Sequence, residues 1–454
     1  MNFEVLYSAA HAEFPDTEPL GGGKAVADYL IREWRNERPF PLTVLSPKSV
    51  WMKDYAIPSP QRGEGQGEGA NETPVRTSPS PEPSPFKGEG KKLRKSLIEM
   101  TELEYARFCR QFERAATAEI LKHDPRHCVV LSNDISEGPD FAVLGERGYR
   151  VVPIFHVDVV EYFTKFYLRG VMKPETAARF RWFSLLPDML RLVFQKQYEC
   201  VRHSARIVVP SAPMRETILR CYPWCTAEKI AVLPWGDMSV TPHPDPLPAT
   251  RGEGTPQVSP LPSARGEDQG EGLNIARNEF VILTLSRLSP EKGIERLLAA
   301  LPRVHVRGHK LRVLICGGAA YMKGRAYERK LRRLVARITS LRVEFTGHVS
   351  GDIKARLLQR ADLLVSPSLH ESYGLTIAEA MAAGCRVISH HHYGASGQVV
   401  DCSNPAALAS AISTVVAGGR TRRTGAPPPP TRAAAQLAEL LKSVAEYRTD
   451  AFKL

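Results

Sequence analysis

Short, continuously apolar runs alternate with longer amphipathic runs over most of the 454 residues of this chain. The apolar runs, such as Cys128–Leu131 and Phe280–Leu285, are rich in Val, Ile and Leu. Continuous runs of this kind are typical of parallel strands that are buried on both faces. Helical stretches such as Lys24–Glu37 lie between them, and the pattern occurs on both sides of residues 241–273. The sequence therefore predicts two doubly wound α/β domains, with a ligand in the crevice where the carboxyl ends of their strands face each other.

Three proline-rich windows interrupt this pattern. Residues 57–92, 241–273 and 421–432 contain seven, seven and four of the 36 prolines. The first two windows also repeat Gly-Glu-Gly, a composition that offers little apolar surface to bury, so we expect passive, solvent-exposed inserts; a partner-binding linker is the alternative. We predict an N-terminal domain at 1–240, an insert and linker at 241–276, a C-terminal domain at 277–420, and a linker with a terminal helix at 421–454.

Composition and charge limit the class of protein and the kind of partner. Apolar residues make up 43% and charged residues 24% of the chain, which is typical of a globular protein. No run of 18 apolar residues exists, and the first 14 residues lack the pattern of a secretory signal, so we expect a cytoplasmic protein. The eight cysteines form no Cys-x-x-Cys pair. The net charge of +12 suits an anionic partner, which could be a nucleotide, a nucleic acid or an anionic lipid.

The segment Ser286–Gly293 lies between a predicted strand and a predicted helix. Its sequence predicts that Ser289 caps the helix, that Pro290 takes the first position, and that Lys292 falls in the first turn, where a cation opposes the helix dipole. A residue such as Lys292 that would destabilise the predicted helix suggests that the segment is kept for a binding site. Arg287, Lys292 and free backbone amides could hold an anion there, although two solvated basic residues in a loop are the alternative.

The segment Ser366–Gly384 predicts a strand end, a loop and a helix from about Leu375. Glu371 lies in the loop and Glu379 about one turn inside the helix. The loop glycine Gly374 and the first helical amides would form an anion pocket. Two carboxylates on either side of such a pocket suit hydroxyl groups that flank a phosphate, as in a nucleotide sugar.

Together these residues resemble a known enzyme family. Arg287 and Lys292 followed by Glu371 and Glu379, with the segments FTGHVS and LPWGD, are similar to retaining glycosyltransferases of family 4 (group 1), which have the GT-B fold. The resemblance is specific over about 277–412 and weaker in the N-terminal half. It implies that Arg287 and Lys292 neutralise the diphosphate of the leaving nucleotide, that Glu379 binds the ribose, and that Glu371 binds the transferred sugar.

The resemblance assigns further residues to the site. It implies that the amides of Gly374, Leu375 and Thr376 bind the diphosphate and the sugar. In the N-terminal half, the glycine-rich loop that contains Gly22 and Gly23 would approach a phosphate or a sugar, although a plain turn is the alternative. His156 ends a predicted strand where members of the family place a histidine close to the anomeric carbon.

The chain departs from the family pattern at two places. After Ser389 it has His390-His391-His392-Tyr393-Gly394, where the family usually has a Thr or Ser followed by paired glycines and a carboxylate. This altered segment could change the choice of donor, or it could abolish turnover. The chain also has Trp235 where the family commonly has Asn. Consecutive strand residues point alternately apart, so we do not expect the three histidines to bind one metal ion.

These observations predict a hexosyltransferase that moves a sugar from a nucleoside-diphosphate sugar to an acceptor hydroxyl with retention. No Asp-x-Asp occurs, so we expect no metal ion and no cofactor. The acceptor is a glycan, a lipid-linked molecule or a small molecule, and we expect no nucleic-acid partner. The basic clusters Lys91–Lys95 and Lys330–Arg333 suggest peripheral contact with an anionic membrane. The alternative is a non-catalytic scaffold that binds nucleotide sugars.

Overall fold

The computed structural model describes eleven segments of the chain: 3–12, 14, 21–50, 100–179, 188–236, 275–276, 278–306, 308, 310–320, 324–420 and 432–446. The predicted inserts at 57–92 and 241–273 lie outside these residues, as do 421–431. Each described half of the chain is built around a parallel sheet.

The N-terminal sheet contains four parallel strands in the order β2-β1-β3-β4. A single bridge from Ile154 to Val208 joins it to the parallel pair β5-β6. The strands are β1 (Glu4–Ser8), β2 (Leu42–Leu45), β3 (Cys128–Ser132), β4 (Arg150–Pro153), β5 (Ile207–Val209) and β6 (Ile230–Val232). The helices are α1 (Gly22–Glu37), α2 (Pro47–Val50), α3 (Glu102–Ile120), α4 (Phe141–Glu146), α5 (Val159–Phe166), α6 (Pro174–Ala177), α7 (Asp188–His203) and α8 (Ala212–Cys221).

The C-terminal sheet contains six parallel strands in the order β12-β11-β10-β7-β8-β9. Its strands are β7 (Glu279–Leu285), β8 (Lys310–Cys316), β9 (Arg342–Gly347), β10 (Leu363–Ser366), β11 (Arg386–Ser389) and β12 (Gln398–Val399). Its helices are α9 (Ile294–Ala300), α10 (Gly324–Val335), α11 (Gly351–Arg360), α12 (Leu375–Ala382) and α13 (Pro405–Ala417). The last helix, α14 (Ala433–Glu446), packs on the N-terminal sheet, where Trp34 Nε1 donates to the Ala434 carbonyl at 3.1 Å.

Both sheets are covered on two faces. Alternate residues of β3 enter different cores, with Val130 in one cluster and Val129 and Leu131 in the other. In the C-terminal sheet, Ile282 and Val281 of β7 likewise pack into two different hydrophobic clusters. All residues of β3 and β7 are buried, and both strands are mostly apolar, as expected of strands that are covered on two faces. The predicted pair of doubly wound α/β domains is confirmed.

The strand order reverses once in each sheet. In the C-terminal sheet the chain builds outward from β7 to β8 and β9, then returns to place β10 on the other side of β7. In the N-terminal sheet the corresponding neighbours are β1 and β3. Ligands of open α/β sheets bind at the carboxyl ends of strands at such reversal points. Among the helices of the described segments, none is long and apolar enough to cross a membrane.

One local prediction is wrong. Residues Pro290–Lys292 form a separate 3₁₀ turn, and α9 begins only at Ile294. The hydroxyl of Ser289 donates to the Glu291 carboxylate instead of capping a helix. The reason is Gly293, which has φ +60° and lies so close to the neighbouring loop that a β-carbon would be 2.6 Å from the Pro367 carbonyl oxygen. Lys292 therefore does not oppose the dipole of α9.

Candidate functional site

A buried ion pair links the two motifs of the C-terminal domain. Lys292 follows β7 and Glu371 follows β10, and these two strands are paired in the sheet. The Lys292 ammonium lies 2.7 Å from Glu371 Oε1, with 11% and 18% of the two side chains exposed. Burial acts to raise the pKa of Glu371, but Lys292, with smaller contributions from His392 and Ser368, offsets this effect, so the pKa lies below its usual value. Glu371 is therefore an ionised hydrogen-bond acceptor at neutral pH.

Arg287 extends from the end of β7 toward the N-terminal domain. Its guanidinium would lie 3.3 Å from a β-carbon on Gly21, a residue with φ +86° that favours glycine. One guanidinium nitrogen is 3.7 Å from Glu291 Oε1. The close approach at Gly21 places a positive charge between the two domains.

Helix α12 begins at the same edge of the sheet. Gly374 precedes it with φ +79°, and a β-carbon there would lie 2.8 Å from the Gly394 carbonyl oxygen. The amides of Gly374, Leu375 and Thr376 form the N-terminal end of this helix, where backbone N–H groups lack intrahelical acceptors and attract anions. A β-carbon on Gly22 would contact the Leu375 side chain at 3.5 Å, so the predicted glycine loop faces this helix end.

Glu379 lies one turn into α12 and has a partner that the sequence analysis missed. Lys354 of α11 places its ammonium 2.6 Å from Glu379 Oε1. Burial nevertheless raises the pKa of Glu379 above its usual value. Glu379 Oε2 is buried and has no hydrogen-bond partner within the described segments. One carboxylate oxygen thus remains available for a ligand. Lys354 carried no sequence signal, because a single lysine on an amphipathic helix resembles any solvated residue.

On the N-terminal side, His156 follows β4 and is held by two neighbours. Its Nε2 lies 3.3 Å from Asn133 Oδ1, and its ring centroid is 6.3 Å from that of Trp235. Burial lowers the pKa of His156 to about 3, so the imidazole is neutral. A β-carbon on Gly23 would lie 3.1 Å from Asp134 Oδ2 and 3.5 Å from His156 Cδ2. The predicted residues Gly22, Gly23 and His156 therefore share one region.

A buried titratable cluster beside His156 was also missed. His11 follows β1, and Asp134 and Glu137 follow β3. The imidazole of His11 is 3.7 Å from Asp134 Oδ2 and 3.8 Å from Glu137 Oε1. Burial raises the pKa of each carboxyl to about 7 and lowers that of His11 to about 4. The available signal was that titratable residues lie within a few positions after two mostly apolar strands, at the point where the strand order reverses.

Comparison with known sequences finds a glycosyltransferase family that matches part of the C-terminal half of the chain. Residues 267–424 match the family model of glycosyl transferases group 1. The chain is 34% identical over 119 residues to the uncharacterized glycosyltransferase MJ1607 of Methanocaldococcus jannaschii, a match that covers 26% of this chain and 28% of that protein. Matches of this kind span about a quarter to a third of the length of the curated relatives.

Solved structures match over almost the whole chain. Sucrose-phosphate synthase from Thermosynechococcus elongatus has a TM-score of 0.60 at 17% identity, covering 98% of this chain and 97% of that one. Anabaena HepE in complex with UDP-glucose has a TM-score of 0.52 at 14% identity, covering 98% and 99%. The fold is GT-B. The GT-B fold predicted from the sequence motifs is thus confirmed.

Two polar contacts connect the GT-B domains beside the site. His370 Nδ1 of the C-terminal domain is 2.8 Å from Glu161 Oε2 of α5, and both side chains are buried or nearly so. The Tyr393 hydroxyl is 2.7 Å from Thr217 Oγ1 of α8. These contacts place the loops after β10 and β11 against the N-terminal domain.

The three consecutive histidines of the GT-B C-terminal domain lie in three different environments. His390 Nδ1 accepts a hydrogen bond from the Cys402 amide at 3.2 Å, His391 is exposed, and the ring nitrogens of His392 are buried. Within the described ranges, no group of three His, Cys, Asp or Glu side chains could hold a metal ion.

Asp134→Asn is expected to stabilise this GT-B protein more at pH 8 than at pH 5.5. The pKa of Asp134 is raised to about 7, so the proton bound in the folded state contributes stability at low pH that is lost as the pH rises through 7. Asparagine avoids the buried charge at pH 8, so the difference between variant and wild type should grow by about 2 kcal/mol over this interval. Thermal unfolding at both pH values measures it. The exposed Asp352→Asn is the control, and a pH-independent difference for Asp134→Asn would contradict the expectation.

Proposed function

We propose that this chain is a hexosyltransferase that moves a sugar from a nucleoside-diphosphate sugar to an acceptor hydroxyl, with retention and without a metal ion. The observation that carries the proposal is the convergence of Lys292, Glu371 and the amide end of α12 at the strand reversal point, opposite Gly22. The family match over 267–424, the name of the relative MJ1607 and the UDP-glucose complex of HepE support the transfer of a sugar from a nucleotide sugar, whereas retention and metal independence rest on the residues of the site.

The donor would lie across the end of α12. Its diphosphate would contact the free amides of this helix, with Arg287 and Lys292 supplying positive charge. Its ribose hydroxyls would donate to Glu379, whose Oε2 is buried without a partner in the described part of the chain. Its sugar would lie beside Glu371, which Lys292 keeps ionised and able to accept hydrogen bonds from hydroxyl groups.

During transfer, the bond between the anomeric carbon and the phosphate oxygen breaks, and its electron pair leaves with the diphosphate. The acceptor oxygen forms the new bond on the same face of the sugar, and its proton passes to the leaving phosphate. Charge that develops on the diphosphate is stabilised by Arg287, Lys292 and the amides, which is the role a metal ion would otherwise have. The neutral imidazole of His156 would lie on the acceptor side of the reacting carbon.

The acceptor would approach from the N-terminal domain. His11, Asp134 and Glu137 lie there next to Gly23 and His156, and they offer both donors and acceptors to a hydroxyl group. A glycan, a lipid-linked molecule and a small molecule all carry such a hydroxyl, and a lipid-linked acceptor would bring the protein to a membrane surface.

The activity can be tested with a panel of UDP-, GDP- and ADP-sugars in the presence of EDTA. We expect hydrolysis or transfer from at least one donor, because the positive charges of the site come from the chain itself. Turnover only after a divalent ion is added would contradict metal independence. Binding of nucleotide sugars without turnover, across a wide set of acceptors, would indicate the non-catalytic scaffold.

Substitutions of the two glutamates should affect different steps, namely binding of the nucleotide and transfer of the sugar. Glu379→Gln is expected to weaken binding of the free nucleoside diphosphate about 10-fold, because the carboxylate accepts charge-assisted hydrogen bonds. Glu371→Gln should leave that affinity almost unchanged and slow transfer about 100-fold. Calorimetric binding of UDP or GDP and single-turnover rates measure the two effects. Equal effects of both variants on both quantities would contradict the assignment.

A further inference from the structure

The ring of His392 has no hydrogen-bond partner although both of its nitrogens are buried. Neither Nδ1 nor Nε2 has a partner within the described segments. A buried polar group without a partner loses the hydrogen bonds that it makes to water in the unfolded chain, so such groups usually bind water or a ligand. The hydroxyl of Ser372, on the loop after β10, and Glu379 Oε2, on α12, are also buried without a hydrogen-bond partner among the described residues. Ser372 and Glu379 lie on the segment to which the Glu371 side of the site belongs.

The loop that carries His392 is held firmly against the site. The Gly394 amide donates to the Glu371 carbonyl at 2.9 Å, and a β-carbon on Gly394 would lie 2.2 Å from the Tyr373 carbonyl oxygen. The Tyr393 hydroxyl bonds to Thr217 on the other domain at 2.7 Å. Because the residues after His392 are fixed on both sides, its ring has a defined position next to the Glu371 loop.

The electrostatics of His392 indicate the chemistry of its ligand. Burial lowers the pKa of His392 to about 4, and the charges that act on it include Glu371 and Lys292. The imidazole is therefore neutral at pH 7, with one nitrogen that donates and one that accepts. The charges of Glu371 and Lys292 already balance each other. A neutral hydroxyl group, which can both donate and accept, matches this ring better than a phosphate or a carboxylate does.

From this arrangement we infer that His392 binds a hydroxyl group of the transferred sugar beside Glu371 and so helps to determine which sugar the protein accepts. The inference rests on the proposed function, since it assigns a role within the same donor site. His392 lies in the segment where the chain departs from the glycine-rich family pattern, so its effect on donor choice would be particular to this protein.

The test compares binding of UDP with binding of UDP-glucose and UDP-galactose by the full chain, and uses the corresponding GDP compounds if UDP does not bind. His392→Ala should bind the nucleoside diphosphate within about two-fold of wild type and lose about 10-fold in affinity for the preferred sugar nucleotide. His392→Gln, which keeps a donor and an acceptor, should recover part of the loss. The neighbouring exposed His391→Ala is the matched control and should bind both ligands normally.

Each outcome bears on a different claim. Unchanged sugar-nucleotide affinity in His392→Ala would overturn the inference while leaving the proposed function intact. An equal loss of affinity for the nucleoside diphosphate and for its sugar conjugate would also overturn it, because the ring would then support the loop instead of the sugar. Failure of the wild-type protein to bind any sugar nucleotide would overturn the proposed function and the inference with it.

Discussion

Lys292→Ala is expected to lower the rate of sugar transfer by about 100- to 1000-fold. One reason is that Lys292 would stabilise the charge that develops on the leaving diphosphate, and loss of one such group in an enzyme site typically costs this much. A second reason is that Glu371 would lose the ammonium 2.7 Å away that holds its pKa down. Burial would then raise this pKa and favour the protonated form, which accepts hydrogen bonds poorly.

Single-turnover transfer from the best donor measures this effect, and thermal unfolding reports whether the fold survives. Lys442→Ala is the matched control, because Lys442 is a partly exposed lysine of α14 that pairs with Glu439 at 2.8 Å and belongs to no proposed binding surface. It should retain wild-type activity. A Lys292→Ala variant that is folded and transfers sugar at the wild-type rate would contradict the role of Lys292 in the site.

Gly374→Ala should reduce the affinity for the donor about 100-fold. The backbone at Gly374 has φ +79°, and a β-carbon would lie 2.8 Å from the Gly394 carbonyl oxygen, so the start of α12 must move. The amides of this helix end would then miss the diphosphate, and a displacement near 1 Å can cost a factor of about 100. Calorimetric titration with UDP or GDP measures the loss.

The control for this variant separates backbone strain from displacement. Gly308 has φ +77°, and apart from its chain neighbours no atom of the described residues lies within 4 Å of a β-carbon at this position. Gly308→Ala therefore carries the same conformational cost of about 1–2 kcal/mol without a clash. It should lower thermal stability slightly and leave donor binding intact. Similar donor affinity in both variants would show that the contact with Gly394 does not position α12.

Local sequence patterns were sufficient for strands such as β3 and β7 and for helices such as α1, whereas β12, α4, α5 and α8 were not predicted. The continuous apolar runs predict β3 and β7 because strands buried on both faces need no polar alternation. The pattern failed at Ser289–Gly293, where serine and proline are typical of a helix start. There the close approach of the Pro367 loop keeps Gly293 in a left-handed conformation, so the helix begins later.

The sequence by itself determined the fold class, the strand-to-helix turns that carry the site, and the residue types that suit a nucleotide sugar. Only the tertiary structure decided the partners of these residues: Lys354 for Glu379, Lys292 for Glu371, and the cluster of His11, Asp134 and Glu137 beside His156. The physical reason is that strand and helix patterns arise from neighbours along the chain, whereas ion pairs and pKa shifts depend on burial and on distances between segments far apart in sequence. His392 illustrates this difference. The sequence shows three adjacent histidines, and only the packing of the loop after β11 leaves both ring nitrogens of one of them buried without a hydrogen-bond partner in the described segments.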